Sequence, residues 1–341
     1  MLRAYSTQGK QNMKNEVQGV KPKSRGMRAF GFIKICFVLG AGFASSAHGE
    51  TGPVSLPDKS FPESITSTPD GTLYVGSFNN GGVLKVAPGG KAEQFVAPAA
   101  NGSRSTLGVL ADEKSGTLYV CSNDISGLGV PGPSDTKGAW LKTFDLATGA
   151  AKGSFALADP KSFCNDIAVG SDGTAYITDS FMPNVYSLKP GGAALEIWAT
   201  DPALAPAKDG VGLDGIALGS DGHLYVTTYI PAKLFRISVK DGKAGVVTEL
   251  KPSRPLDHAD AMRAFGNDFL LIEGAGKLDK VTVKGDEAQI ETIQDGLSEP
   301  VSVTQVGNTG WVAEGKLSYI IGDNKGKDPG PFLLKPVTLA K

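Results

Sequence analysis

The sequence predicts an all-β protein, a six-bladed β-propeller with four-stranded antiparallel blades around a central channel. The 341 residues include 45 Gly and 21 Pro, which interrupt helices and favour turns. A phrase consisting of a polar residue, an alternating apolar strand, an Asp-Gly-type turn and an aromatic-led strand recurs along the chain. Four-stranded repeats at a period of about 40 to 50 residues are typical of propellers, whose blades pack against their neighbours.

Three copies of the phrase share one register, in which the polar residue stands 11 positions before a tyrosine. These copies span 63–74, 165–176 and 214–225, and weaker copies span 108–119, 260–271 and 299–311. The last residues of successive copies are 45, 57, 49, 46 and 40 positions apart. An irregular β-sandwich would not repeat a polar residue in one register, so six copies favour six blades.

The first copy shows how one blade is built. Its apolar alternation and its Gly-rich turns predict four short strands. These strands are expected at roughly 63–68, 72–76, 83–87 and 92–96. The same pattern, repeated to the end of the chain, predicts that residues 50–341 form a single propeller domain.

Residues 1–49 differ from the rest of the chain and are typical of a secretory signal region. Seven basic residues and one acid precede an apolar run at 30–44, which Lys34 interrupts. The run is shorter than the roughly 20 residues of a membrane span, and small residues favour cleavage near Ala47 or Gly49. Met13 and Met27 are alternative starts, and a retained anchor is the alternative to cleavage. We expect a periplasmic or secreted protein.

The charge balance changes once this region is removed. The full chain has a formal net charge of −1, whereas residues 50–341 carry 26 basic and 34 acidic residues, a net charge of −8. An acidic chain is a poor partner for nucleic acid. We therefore expect a small-molecule partner and no membrane association in the mature form, with the oligomeric state left open. Two cysteines and two histidines remain, too few for a zinc cluster or a haem site.

The polar residue of each copy falls where the first strand of a blade begins. First strands line the channel of a propeller, so these residues should surround one mouth of it. The six positions are Glu63, Gly108, Asn165, Asp214, Asp260 and Glu299. Converging acids repel each other unless a cation is bound, and oxygen ligands favour Ca²⁺, with Mg²⁺, Mn²⁺ or Zn²⁺ as alternatives. The other interpretation is that each residue caps a turn.

The motifs resemble one known family. Pro62-Glu63-Ser64, Cys164-Asn165-Asp166 and Leu213-Asp214-Gly215, in this order and spacing, are similar to the SMP-30/gluconolactonase/LRE-like family over residues 55–325. The resemblance implies a six-bladed propeller with one divalent metal ion in the channel. It also implies hydrolysis of sugar lactones or related esters.

Residue roles follow from the same resemblance. It implies metal ligands at Glu63, Asn165, Asp214 and Asp260. The last family aspartate, a ligand and a general base, corresponds either to Asp214, which has the cleaner motif, or to Asp260, which blade counting favours. His258 is a rival base at the same mouth. No Gly-x-Ser-x-Gly motif is present, which disfavours a serine hydrolase.

Candidate substrate-binding residues come from loops that should face this mouth. Arg104 and Lys161 are the nearest basic residues to Asn165, where the family has a substrate-binding arginine. The full set of candidates is Arg104, Asn123, Lys161, Phe181, Tyr229 and Glu299. The insertion at 125–134 is either a lid or a plain surface loop.

Two further alternatives stay open at this point. A non-catalytic propeller that binds a ligand or a protein, with a structural Ca²⁺, would explain why Gly108 interrupts the polar ring. A quinone-dependent sugar dehydrogenase is disfavoured, because the channel offers few cations. Cys121 and Cys164 should meet at the mouth on adjacent blades, and an exported protein permits a disulfide there.

Overall fold

Short alternating strands joined by Gly-rich turns form six sheets around a channel, antiparallel except for a two-residue outer strand, Lys251–Pro252, that pairs in parallel and makes one sheet five-stranded. The computed structural model describes residues 52–208 and 210–339 and confirms the predicted six-bladed β-propeller. The proposed signal region, residues 1–49, lies outside the described residues. Within the described part of the chain, no helix is long and apolar enough to cross a membrane.

The first three blades follow the predicted repeats. A short strand, β1 (Val54–Ser55), precedes them. Blade 1 comprises β2 (Pro62–Ser67), β3 (Leu73–Ser77), β4 (Val83–Val86) and β5 (Ala92–Val96), each within one residue of its predicted bounds. Blade 2 comprises β6 (Ser105–Asp112), β7 (Thr117–Asn123), β8 (Ala139–Asp145) and β9 (Ala151–Ala156). Blade 3 comprises β10 (Cys164–Val169), β11 (Ala175–Asp179), β12 (Asn184–Leu188) and β13 (Glu196–Thr200).

The second half of the chain repeats the pattern. Blade 4 comprises β14 (Val211–Leu218), β15 (Leu224–Ile230), β16 (Lys233–Lys240) and β17 (Lys243–Glu249). Blade 5 comprises β18 (Lys251–Pro252), β19 (Ala259–Phe265), β20 (Asp268–Glu273), β21 (Lys277–Lys284) and β22 (Glu287–Gln294). Blade 6 comprises β23 (Pro300–Val306), β24 (Thr309–Glu314) and β25 (Leu333–Thr338). The helical elements are α1 (Ser318–Ile321) and 3₁₀ turns at Ala100–Gly102, Ser126–Leu128 and Pro202–Leu204.

The ring closes through the start of the chain. Strand β1 pairs antiparallel with β25 and becomes the outer strand of blade 6. The first strand of every blade contacts the first strands of both neighbouring blades, so six strands surround the channel. The repeated aromatic residues pack where blades meet, as with Tyr225 of blade 4, whose ring lies 4.6 Å from that of Phe269 in blade 5.

Each of the five first strands from β2 to β19 contains a register shift at the predicted polar position. The shifts lie between Pro62 and Ile65, Thr106 and Val109, Cys164 and Ile167, Leu213 and Ile216, and Ala259 and Met262. A β-bulge places an extra residue in one strand and redirects its side chain. The bulges therefore explain why these positions can present polar groups at the channel mouth.

Gly108 interrupts the polar ring because its bulge leaves no room for a side chain. A Cβ at Gly108 would lie 2.2 Å from the backbone oxygen of Asn165 and 2.9 Å from the Cα of Asp166. Gly108 thus lets blade 2 approach the strand that carries Asn165.

Replacing Gly108 by alanine should therefore destabilise the protein. The added methyl group has to push two backbones apart, and such overpacking costs about 1 to 3 kcal/mol. Urea denaturation measures the loss. Gly127→Ala is the matched control, because a Cβ there meets nothing within 4 Å, and its effect should stay within about 0.5 kcal/mol. Equal stabilities of the two variants would contradict the packing argument.

Acidic residues at the ends of second strands hold the entrances of the first strands. Asp179 accepts a hydrogen bond from the backbone N–H of Phe163 (2.9 Å), and Glu314 accepts one from Ser298 (2.8 Å). Glu273 accepts the backbone N–H of Asp257 in the same way. These buried acids therefore stabilise the backbone at the channel mouth.

Glu273 also belongs to a buried ionic cluster on blade 5. The Nη1 of Arg254 donates to Glu273 (2.6 Å), and its Nη2 donates to both oxygens of Asp279 (2.8 Å each). Burial, followed by the hydrogen bond with Asp279, raises the pKa of Glu273 to about 7. The native state therefore retains a proton that the unfolded chain releases near pH 4.5.

Stability should accordingly fall as the pH rises through this window. The contribution of neutral Glu273 is fully present below the unfolded pKa and is lost as the pH approaches about 7. Glu273→Gln keeps the shape and removes the titration. Urea unfolding at about pH 5 and about pH 8 should show a larger loss for the wild type than for Glu273→Gln. The same loss in both proteins would rule out this assignment.

Candidate active site at the channel mouth

Four predicted ligand positions come together at one end of the channel. Glu63, Asn165, Asp214 and Asp260 lie in the bulges of blades 1, 3, 4 and 5 and are between 5% and 8% exposed. Three carboxylates and one amide thus share a nearly buried site. Buried acids are rare unless they are paired, protonated or bound to a cation.

The three carboxylates perturb one another. Burial, followed by the charge of Asp166, raises the pKa of Asp214 to about 8. Burial, followed by the charge of Asp214, raises the pKa of both Glu63 and Asp260 well above the ordinary range. Asp214 and Asp260 each affect the pKa of the other. The three groups therefore cannot all be ionised at neutral pH without a compensating charge.

An arginine that no sequence motif indicates crosses the channel beside these acids. Arg263, three residues after Asp260, forms a bidentate pair with Asp166 of blade 3, at 2.5 Å from Nη1 to Oδ2 and 3.0 Å from Nη2 to Oδ1. Its Nη2 also lies 3.4 Å from the Oγ of Ser64 in blade 1. One side chain thereby links three blades and balances the charge of Asp166.

The polar atoms of the site are not all satisfied. The Oδ1 of Asp214 is buried and has no hydrogen-bond partner. The Oδ1 of Asp260, in contrast, accepts the backbone N–H of Ala261 (2.9 Å), and the Nδ2 of Asn165 donates to the Oγ of Ser180 (2.9 Å). A buried carboxylate oxygen without a donor indicates a missing positive partner.

The donor set suits a hard cation, although the side chains are not in finished ligand geometry. Across 52–208 and 210–339, no group of three or more His, Cys, Asp or Glu residues is placed to hold a metal ion. Asn165 would have to supply one of the oxygens, and the carboxylates would have to close on the ion. The residue chemistry and the unpartnered oxygen of Asp214 fit such an ion, and the predicted metal site stays a proposal.

Glu299 does not join this group. Its backbone has a positive φ of 47°, and its carboxylate accepts hydrogen bonds from the backbone N–H (3.0 Å) and the Oγ (2.5 Å) of Ser318. Glu299 therefore holds the start of α1. Glu299 and Gly108 are therefore the two of the six predicted positions that contribute no side-chain oxygen to the site.

Two other predicted substrate residues make polar contacts within the protein, although the Nε of Arg104 is buried without a hydrogen-bond partner. Arg104 is 4% exposed, donates to the carbonyl oxygens of Pro131 and Thr136, and pairs with Asp124 at 3.1 Å. It thereby fastens the insertion that follows β7. Asn123 bridges blades 2 and 3, because its amide donates to the carbonyl oxygen of Cys164 (2.8 Å) and accepts its N–H (3.0 Å).

The remaining candidates lie around the same mouth. Lys161 is exposed, and Phe181 packs against Phe163 with ring centroids 5.1 Å apart. Tyr229 is buried, with its ring 5.0 Å from that of His258. The Nδ1 of His258 lies 2.5 Å from the Oδ1 of Asp257. Their roles as base or substrate contacts stay predictions.

A disulfide adjoins the candidate ligand Asn165. Cys121, near the end of β7, is bonded to Cys164 at the start of β10, with Cα atoms 5.2 Å apart. The two cysteines that the repeats predict to be neighbours are therefore joined. The bond fixes the strand of Asn165 to the adjacent blade at the channel mouth.

Comparisons with known proteins agree on the fold. No protein-family model and no curated protein sequence matches the chain. The structure is similar to a gluconolactonase from Xanthomonas campestris, at a TM-score of 0.59 and 14% identity, covering 84% of this chain and 95% of that one. It is also similar to the PQQ-bound form of aldose sugar dehydrogenase from Streptomyces coelicolor, at a TM-score of 0.59 and 14% identity, with coverages of 84% and 96%.

A third similar structure carries another activity. It is virginiamycin B lyase from Staphylococcus aureus, at a TM-score of 0.55 and 18% identity, covering 84% of this chain and 98% of that one. Likeness at these identities shows the six-bladed fold. A lactonase, a dehydrogenase and a lyase share it, so the function has to be argued from the site.

Proposed function

We propose that the protein is an exported, metal-dependent hydrolase that opens a sugar lactone or a related ester. The observation that carries this proposal is the group of Glu63, Asn165, Asp214 and Asp260, buried in strand bulges with one unpartnered carboxylate oxygen. The sequence resemblance to the gluconolactonase-like family and the structural likeness to a gluconolactonase support the same reaction class.

The charges favour a divalent cation. Arg263 balances Asp166, so Glu63, Asp214 and Asp260 would carry three uncompensated negative charges when ionised. A divalent ion would leave one negative charge in excess, and Ca²⁺ accepts carboxylate and amide oxygens of this kind. Glu63, Asn165, Asp214 and Asp260 would hold it. When bound, such an ion would polarise a lactone carbonyl and stabilise the charge that develops on its oxygen.

The free oxygen of Asp214 favours this residue as the general base. Asp260 uses its Oδ1 on the backbone N–H of Ala261, whereas no backbone N–H of the described residues donates to the Asp214 carboxylate, which leaves one oxygen for the ion and the other for the water. In the proposed reaction the water oxygen bonds to the carbonyl carbon while its proton moves to Asp214. The ring carbon–oxygen bond then breaks, and the departing oxygen takes up a proton. The products are a carboxylate and an alcohol on one opened chain.

The disulfide supports export. Such bonds persist in oxidising compartments such as the periplasm and the extracellular space. Cys121–Cys164 is buried beside the site, and the signal-like residues 1–49 lie outside the described part of the chain. We therefore assign the reaction to a periplasmic or secreted protein acting on a small molecule.

Removal of the metal provides the first test. Purified residues 50–341 are screened on neutral and charged lactones, before and after EDTA, and after addition of Ca²⁺, Mn²⁺, Mg²⁺ or Zn²⁺. EDTA should abolish hydrolysis, and one cation should restore it. Activity that chelation leaves unchanged would disprove the metal mechanism. Stabilisation by Ca²⁺ without turnover of any lactone would favour a non-catalytic binding propeller.

A further inference from the structure

A cavity of about 340 Å³ opens at the channel mouth between blades 2 and 3. Its volume lies in the range of pockets that take small ligands. Loops from blades 2 and 3 form its walls. The charged and aromatic side chains that line it are Asp124, Lys137, Lys161, Phe163 and Phe181. All of them lie at the strand ends that face the mouth.

The charge at this cavity is positive, although the chain after residue 49 is acidic. Both oxygens of Asp124 are occupied, one by Arg104 at 3.1 Å and the other by Lys137 at 3.2 Å. Lys161 lines the cavity, and its Nζ has no hydrogen-bond or ion-pair partner among the described residues. Two lysines, Lys137 and Lys161, therefore line the cavity with one carboxylate, an excess of one positive charge that favours an anionic ligand.

The opposite wall is aromatic and firmly held. Phe163 and Phe181 pack with ring centroids 5.1 Å apart. The Oδ1 of the buried Asp179 accepts the backbone N–H of Phe163 (2.9 Å) and that of Phe181 (3.1 Å). The Asp179 carboxylate thus fixes the backbone of both aromatic residues. A preformed apolar wall of this kind can pack against the flat face of a ligand ring.

The cavity adjoins the candidate active site. Phe163 is separated from Asn165 by one residue, the disulfide-bonded Cys164. Ser180, immediately before Phe181, accepts the hydrogen bond from Asn165 (2.9 Å). A ligand bound here would have one end in the cavity and its other end directed towards the buried acids Glu63, Asp214 and Asp260.

We propose that this cavity is a binding site for small organic anions, with Lys161 contacting a carboxylate and the Phe163–Phe181 wall contacting a ring. Resting on the proposed function, the substrate class would be lactones or esters that carry a carboxylate remote from the bond that is hydrolysed. The positive charge would keep that carboxylate away from the acidic centre.

Binding is tested first, without any hydrolysable bond. Isothermal titration calorimetry compares phenylacetate with the neutral phenylacetamide on the wild type, on Lys161→Met and on Lys91→Met. Lys91 is an exposed lysine that directly precedes β5, on the opposite face of the ring. A lost charge-assisted hydrogen bond should weaken phenylacetate binding about ten-fold or more in Lys161→Met alone. Equal binding of acid and amide, or no effect of Lys161→Met, would overturn the proposal.

The kinetic measurement separates this site from the proposed reaction. A γ-butyrolactone bearing a ring carboxylate is compared with its carboxamide on the wild type and on Lys161→Met. The variant should raise KM for the carboxylate only and leave the carboxamide unchanged. Phenylacetate binding without turnover of either lactone would overturn the hydrolase and leave the anion site. Turnover of both lactones with KM values insensitive to Lys161→Met would overturn the anion site and leave the hydrolase.

Discussion

Replacing Asp214 by asparagine should reduce lactone hydrolysis about 10²- to 10⁴-fold, the usual loss when a general base is removed. The amide keeps the size of the side chain, yet it cannot take the proton of the attacking water. The expected change is in kcat, measured by a pH-indicator assay of acid release with the cation present in excess. Asp221→Asn is the matched control, because Asp221 serves an exposed turn at the other end of the same blade.

The same variant gives a second measurement that does not depend on turnover. Because the pKa of Asp214 is raised to about 8, its contribution to stability is present below pH 3.8 and is lost as the pH rises towards about 8. Without a cation, Asp214→Asn should therefore be more stable than the wild type at pH 9, as judged by thermal unfolding. Ca²⁺ should raise the melting temperature of the wild type more than that of the variant.

Two outcomes would contradict this assignment. Full activity in Asp214→Asn combined with loss in Asp260→Asn would make Asp260 the base. Loss of activity with an unchanged response to Ca²⁺ would separate the base from the metal site. The distinction matters because the cleaner motif favours Asp214 and blade counting favours Asp260, and the structure adds the hydrogen bond that the backbone N–H of Ala261 donates to Asp260.

The blade architecture was predictable from the sequence because a propeller repeats one local pattern. The polar residue of β2, β10 and β14 stands a fixed 11 positions before a tyrosine, and this register locates the bulge of each first strand. Strand alternation then determines which side chains face the channel. Glu63, Asn165 and Asp214 could therefore be placed at one mouth from the sequence alone.

Contacts across the channel could not be predicted in this way. Arg263 and Asp166 are 97 residues apart and lie on blades that are not neighbours, so no local pattern relates them. The same limit applies to Arg104 and Glu299, whose residue types suit a ligand. Their partners are nearby loops, the insertion after β7 and the start of α1, and loop geometry is not encoded in strand periodicity.

Arg263 is expected to be the most important single charge for stability. Arg263→Met preserves much of the side-chain bulk and removes the guanidinium, which leaves Asp166 buried at 2% exposure without its ion-pair partner. Breaking one side of a buried pair costs about 3 to 5 kcal/mol. Urea unfolding should show this loss. Arg236→Met, which removes an ion pair with the exposed Asp286, should cost no more than about 1 kcal/mol.

A double variant separates the pair from general damage to the channel. Asp166→Asn removes the charge that Arg263→Met leaves behind, so the combined variant should be more stable than Arg263→Met alone. The difference between the summed single effects and the double effect measures the coupling. A double variant as unstable as the sum would mean that Arg263 acts by filling the channel. Recovery would mean that this pair, which joins blades 3 and 5 beside Asp214 and Asp260, stabilises the ring by neutralising Asp166.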